Sequence, residues 1–149
     1  MVRGAINAKA RGELGELAFV LKAASLGFGV AKPHGENERY DFVVDSGERF
    51  WKVQVKSSHC AYRRGYQVGG GGNGRKPYKA DEIDFLVGYV APRDIWYVIP
   101  VSSILLSRTI CFYPAGCSRG GRFECYREAW HLMACQAPKA HPSTCAVQG

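Results

Sequence analysis

Tyr40-Asp41-Phe42-Val43-Val44-Asp45 and Phe50-Trp51-Lys52-Val53-Gln54-Val55-Lys56 are two apolar runs separated by Ser46-Gly47-Glu48-Arg49. Both are rich in aromatic and β-branched residues and read as strands. Ser46-Gly47 is an acceptable two-residue hairpin turn. With that turn, Asp45 pairs with Glu48 and Asp41 with Lys52. Side chains alternate along a strand, so Asp41, Lys52, Gln54 and Lys56 then share one face. Trp51, Val53 and Val55 point to the other face, as core. A one-residue slip would set Asp41 opposite Val53 and separate it from Gln54.

Outward from this hairpin, residues 11–25 read as a helix, with Leu14, Leu17, Ala18, Leu21 and Ala24 at helical spacing. Phe19, Val20 and Ala23 make its opposite side apolar as well, so the helix is expected to pack on both sides. Glu13 and Glu16 fall near its N-terminal end, where carboxylates complement the helix dipole. Gly27 and Gly29 are stop signals. Residues 28–32 suit a short strand, and 33–37 a loop. Ile83–Val90 and Ile95–Val101 read as strands around a turn at residues 91–94, and Thr109–Tyr113 as a further one. Residues 124–135 read as a helix, with Phe123, Tyr126, Trp130 and Met133 roughly on one stripe. The expected class is α/β (α+β): an N-terminal helix on a mixed central sheet, then a C-terminal helix. One domain over 1–138 and a loose tail over 139–149 fit the length.

Between the hairpin and the next strand, residues 57–80 form a long connection rich in Gly and Tyr. Loops beyond ~12–15 residues are uncommon and usually functional or disordered. Gly69-x-Gly71-x-x-Gly74 lies inside it, but Arg75-Lys76-Pro77 follows instead of a helix, so it is no dinucleotide fingerprint.

The net charge of +7 sits entirely in residues 1–80, with 14 Lys+Arg against 7 Asp+Glu; residues 81–149 carry 6 of each. Residues 59–80 hold Arg63, Arg64, Arg75, Lys76 and Lys79 and no acid. Interleaved with Tyr66 and Tyr78, these cations suit phosphate contacts and base stacking. The bland alternative is a solvated loop. No apolar stretch approaches the ~18–20 residues of a membrane span, and no secretory leader is visible. A cytoplasmic, reducing compartment is expected, with the cysteines as thiols. Cys111, Cys117, Cys125, Cys135 and Cys145 crowd the last 39 residues, with His131 one helical turn before Cys135. Their spacing matches no common zinc pattern, so structural zinc is not expected. His34 and His59 lie near the hairpin, and neither is given a catalytic role.

The hairpin face carries the chemistry. Phosphodiester hydrolysis needs a cation on the scissile phosphate, an activated water and relief of developing charge. Mg²⁺ takes oxygen ligands, typically one or two carboxylates with waters and phosphate oxygens. Asp41 offers a carboxylate, Gln54 a neutral carbonyl oxygen and Val55 its backbone carbonyl. Lys56 could orient or deprotonate the water. Glu13 or Glu16 could hold a metal-bound water or a second ion.

Gly12-Glu13-Leu14-Gly15-Glu16-Leu17 on the helix, Tyr40–Asp45, and Val53-Gln54-Val55-Lys56-Ser57 together resemble the PD-(D/E)xK nuclease superfamily. The likeness is nearest a Gln-x-Lys variant similar to certain intron-encoded homing endonucleases. It covers about residues 11–100, with Asp84–Tyr89 and Trp96–Pro100 resembling later strands. The resemblance implies a restriction-endonuclease-like core and a Mg²⁺- or Mn²⁺-dependent DNA endonuclease. It implies Asp41 as bridging metal ligand, Gln54 as second ligand, Lys56 as catalytic lysine, and Glu16 rather than Glu13 as helix carboxylate. Tyr40 stands where the motif has proline, and Gln54 where it usually has an acid, which removes one negative charge. Cutting two strands of double-stranded or branched DNA calls for two sites, hence a homo-dimer or homo-tetramer. Two alternatives remain open: a nuclease-fold DNA-binding protein without catalysis, and a structure-selective nuclease similar to Holliday-junction resolvases.

Overall fold

The computed structural model describes residues 4–72 and 76–134. Arg75, Cys135, Cys145 and the tail expected over 139–149 lie outside the described residues. Helix α1 spans Ala8–Ser25. Strands β1 (Gly29–Ala31), β2 (Phe42–Asp45), β3 (Phe50–Ser58), β4 (Tyr66–Gly69), β5 (Phe85–Val90), β6 (Ile95–Pro100) and β7 (Thr109–Phe112) follow. Five of them make one sheet in the order β1-β2-β3-β5-β6, while β4 and β7 pair separately. Only the central β3–β5 pair is parallel, so the main sheet is mixed.

Helix α1 begins three residues earlier than the apolar spacing implied. The Asn7 side chain caps it by accepting from the Ala10 N–H at 2.9 Å. No acid lies in the first turn. Glu13 and Glu16 therefore sit in the body of the helix, and the dipole argument for them does not apply. Gly27, at φ +90°, ends the helix in the left-handed region, where a side chain would be strained.

The helix also packs on one side only. Gly15, Phe19 and Ala23 are its buried residues, while Leu14, Leu17 and Leu21 remain 46%, 66% and 74% exposed. Small residues explain the choice. A Cβ on Gly15 would lie 2.7 Å from both Cβ and Oγ of Ser57, so the Gly15 face lets helix and strand approach closely. Burying the bulkier leucine face would hold them apart.

The hairpin closes two residues away from the expected register. Asp45 pairs with Phe50, Val44 with Trp51 and Phe42 with Val53. The turn has four residues, not two. Asp45 Oδ1 accepts from the Gly47 N–H at 2.7 Å, and Ser46 exchanges hydrogen bonds with Arg49 through its hydroxyl and its N–H. Asp and Ser side chains favour such local turns. A shift of two keeps every side chain on its own face, so the expected separation of core and site faces survives. It carries Asp41 from Lys52 toward Gln54, and the Asp41 N–H donates to the Val53 carbonyl at 2.9 Å.

The sheet is covered on both faces. On one, Phe19 and Ala23 of α1 and Ala129, Trp130 and Met133 near the C-terminus meet Phe42, Val44, Trp51, Val53, Val55 and Trp96. On the other, β4 and β7 bring Val68, Ile110 and Phe112 against Leu86, Tyr97 and Ile99. Two expectations change here. Residues 57–80 are not one long loop, since β3 runs to Ser58 and β4 lies within the segment. The C-terminal helix expected over 124–135 is two 3₁₀ turns, Glu124–Tyr126 and Trp130–Leu132.

Glu128 is the cause. Its N–H donates to the Trp96 carbonyl at 2.7 Å and its carboxylate accepts from the Trp96 N–H at 3.0 Å, which turns Glu128 to φ +50°. That grip on the β6 edge is incompatible with a continuous α-helix. Phe123, Trp130 and Met133 are buried all the same, so the apolar spacing located the core contacts but not the backbone that makes them.

Candidate active site

A cleft of about 730 Å³ opens between the N-terminal half of α1, the 36–41 segment and the end of β3. Glu16, Asp41, Gln54, Val55 and Lys56 all line it, so the whole expected catalytic set converges on one cavity. Glu13 lies elsewhere, in a groove with Leu17, Val20 and Lys32, although Glu16 borders both.

Asp41 is the hub. Its Oδ2 accepts from the Val55 N–H at 2.9 Å and from the Gln54 amide at 2.5 Å. The same Gln54 nitrogen donates to the Val55 carbonyl at 3.3 Å. One electropositive group therefore lies between a carboxylate oxygen and a backbone carbonyl oxygen. Gln54 is only 8% exposed and holds its amide nitrogen toward these two oxygens. A small divalent cation seeks oxygens arranged in this way. The amide also carries an acceptor. The Asp41 carboxylate and the Val55 carbonyl suit Mg²⁺ or Mn²⁺, and the Gln54 oxygen would join them with its amide turned over. Among the described residues no three His, Cys, Asp or Glu side chains cluster closely enough to hold a metal. The donor set is poorer in charge than three such ligands would be.

Burial, above all, holds the Asp41 carboxyl above its ordinary value, and the negative charge of Glu16 adds to this. The Val55 N–H, the charge of Lys56 and the Gln54 amide pull the other way. Glu16 and Lys56 are thus both close enough to act electrostatically on Asp41. Lys56 lines the cleft and makes no hydrogen bond or ion pair among the described residues.

Three cations in or beside the cleft were not anticipated: Arg11, Lys32 and Arg39. Lys32, just past β1, pairs with Glu16 at 2.9 Å, and that partner raises its own pKa. Arg39 lines the cleft and pairs with Glu82 at 3.1 Å. Its guanidinium lies 4.8 Å from the centre of the Tyr78 ring and donates to the Lys76 carbonyl at 3.4 Å. Arg39 was not legible, since it precedes β2 and its place at the cleft depends on how the 36–41 segment folds. Nor was Lys32, since its pairing depends on where α1 lands on the sheet.

The residues expected to touch nucleic acid divide. Arg63, Arg64, Lys76 and Lys79 are exposed, and Tyr66 is half-buried. Tyr78 is a correction. It is 2% exposed, beneath Arg39 and within the second core cluster, so its ring cannot stack on a base. Burial pushes its phenol up to about 12. His59 accepts or donates a hydrogen bond with Ser57 Oγ at 3.1 Å on the cleft wall. His34 is exposed.

The family model described as PD-(D/E)XK endonuclease matches residues 6–133. Among solved structures, the bacterial homing endonuclease I-Ssp6803I is similar, with 33% identity and a TM-score of 0.73. The match covers 87% of this chain and 92% of that one. No curated protein sequence matches. The mixed sheet with one helix against it is the restriction-endonuclease-like core shared with that neighbour. The matched span takes in the helix, the hairpin and the cleft they form, and on this ground the chain belongs to the PD-(D/E)XK endonuclease family.

Proposed function

We propose that the protein is a divalent-metal-dependent DNA endonuclease of homing or restriction type, acting as a homo-oligomer. The observation that carries this is the convergence of the Asp41 carboxylate, the Gln54 amide and the Val55 carbonyl, with Lys56 on the same cleft wall. Asp41, Gln54 and Val55 would hold Mg²⁺ or Mn²⁺. When bound, the ion would polarise the phosphate and acidify a water. Lys56 orients that water and offsets the charge that develops on the phosphate. Glu16 is the outer acid. Its pairing with Lys32 steadies the carboxylate at the cleft mouth.

Arg63, Arg64, Arg75, Lys76 and Lys79 supply phosphate contacts, and Arg39 keeps the 76–79 segment against the cleft wall through the Lys76 carbonyl. Two-fold cleavage needs a second site, and the exposed Leu14, Leu17 and Leu21 give a second copy an apolar face to cover. Cys60, Cys111, Cys117 and Cys125 are free thiols, in keeping with a reducing cytoplasm. Among the described residues no helix is long and apolar enough to cross a membrane.

Supercoiled plasmid tests the reading. With Mg²⁺ or Mn²⁺ the protein is expected to give nicked or linear DNA, and EDTA is expected to abolish it. DNA that is bound under all these conditions and never cut would leave only the DNA-binding reading.

A further inference from the structure

We propose that a second cavity, beside β4 and β7, receives one unstacked nucleotide of the DNA that the enzyme engages. The inference rests on the DNA reading above and adds a site to it. The cavity, of about 400 Å³, is lined chiefly by Tyr62, Arg63, Arg64, Tyr66, Gln67 and Tyr113. That volume lies in the range of small-ligand pockets, roughly 300–1,000 Å³.

Its wall is built, not incidental. Tyr62 and Gly65 exchange two backbone hydrogen bonds, 2.7 and 3.1 Å, which close a tight turn with Arg63 and Arg64 at the tip. Arg63 is held at φ +55°, a left-handed conformation that L residues other than Asn and Asp rarely adopt. Such strain persists only where the surroundings enforce it, and it concentrates at functional sites. The enforcing contact is visible. Gly65 is buried against β7, where a Cβ would lie 2.7 Å from the Phe112 carbonyl oxygen and from the Tyr113 ring. The turn is therefore seated on the small sheet. The Tyr113 N–H is in turn anchored on the Glu124 carboxylate at 3.0 Å.

Three tyrosines, two arginines and a glutamine in the lining suit a nucleotide. Tyrosine faces stack on any base, and guanidinium groups neutralise the phosphate that comes with it. Arg63 already lies 5.5 Å from the centre of the Tyr62 ring, so charge and aromatic surface meet at the rim. Gln67 can donate to and accept from a base edge. It also lines the catalytic cleft, so the two cavities share a wall. A nucleotide lodged here would lie along the strand from the phosphodiester in the cleft. A fully stacked duplex offers phosphates to a convex basic surface but no base to a concave aromatic one. An unpaired base enters at least cost, because little stacking is lost.

The test compares binding of two fluorescent duplexes in EDTA, identical except that one carries a single unpaired thymine. The bulged duplex is expected to bind about tenfold tighter, in line with the stacking of one base on an aromatic side chain. In Tyr113→Leu the ratio of the two affinities is expected to fall below about twofold. Tyr62→Leu, at a residue 52% exposed, gives the same readout should Tyr113→Leu not fold. Equal affinity of the wild type for the two duplexes overturns the proposal, as does a ratio unchanged in Tyr62→Leu. Absence of DNA binding altogether overturns it too. The assay contains no metal, so its outcome is separate from plasmid cleavage. Nicking with no preference for the bulge would remove the cavity's role and leave the endonuclease reading standing.

Discussion

Gln54 and Asp41 share a tight, half-dry pocket, and their substitutions should separate stability from chemistry. Gln54→Glu would set a second carboxylate against one whose pKa is already raised by burial. Without metal the variant is expected to lose about 2 kcal/mol, or about 4–8 °C in Tm. Mg²⁺ should recover most of that loss and bind more tightly than in the wild type. A Tm that ignores both the substitution and Mg²⁺ would argue that Gln54 is no ligand. Asp41→Asn goes the other way. A carboxyl raised in the folded state contributes stability below its unfolded pKa and loses it as pH rises through the folded value. Asparagine keeps an acceptor for the Val55 N–H and carries no charge to bury. The variant is expected to melt above the wild type at pH 7, with the gap closing in acid, while cleavage falls at least ~100-fold. Thermal melts from pH 3 to pH 8 check the sign. At this scale the sequence picked out residues that line one cleft, because their chemistry is carried by residue type. It was silent on Lys32, whose meaning comes only from its neighbour Glu16. It misread Tyr78, because Tyr in a Gly-rich basic segment looks exposed until Arg39 is found lying on it.

At the level of elements, the contact between α1 and β3 sets the position of Glu16 relative to Asp41. Gly15→Ala should improve intrinsic helix propensity by about 1 kcal/mol. Its new Cβ would nevertheless meet Ser57, so a net loss of about 1–3 kcal/mol is expected, with weaker cleavage as Glu16 shifts. Gly15→Ala combined with Ser57→Gly should relieve the clash and regain part of both. No interaction between the two substitutions in a double-mutant cycle would place the helix differently. Period-two and helical spacing located α1, the hairpin and the later strands, because each buries a continuous apolar face. They failed where side chains dictate backbone. The hairpin register moved by two residues because Asp45 and Ser46 build their own turn. Residues 124–132 turn twice as 3₁₀ because Glu128 binds the edge of β6. The face on which α1 packs depended on which side could come closest, and residue hydrophobicity alone gave no choice between its two apolar sides.

For the molecule as a whole, exposed positive charge and exposed apolar surface lie in different places. Arg63, Arg64, Lys76 and Lys79 are exposed in the segments after β3, while Leu14, Leu17 and Leu21 form an uncovered stripe on α1. Leu17→Glu with Leu21→Lys is expected to convert an oligomer into a monomer in sedimentation experiments. Folding of the monomer should change by no more than ~0.5 kcal/mol for each exposed position. An unchanged sedimentation coefficient would move the interface elsewhere.

The central claim is that Asp41 and Lys56 perform metal-dependent phosphodiester cleavage in the cleft. The most direct measurement is the rate of plasmid nicking in Mg²⁺ for the wild type, Asp41→Ala and Lys56→Ala, each shown to be folded by its thermal melt. The expected result is nicking by the wild type alone, with each variant slower by about 10²–10⁴-fold. Metal-dependent nicking that persists at the wild-type rate in both variants would contradict the account.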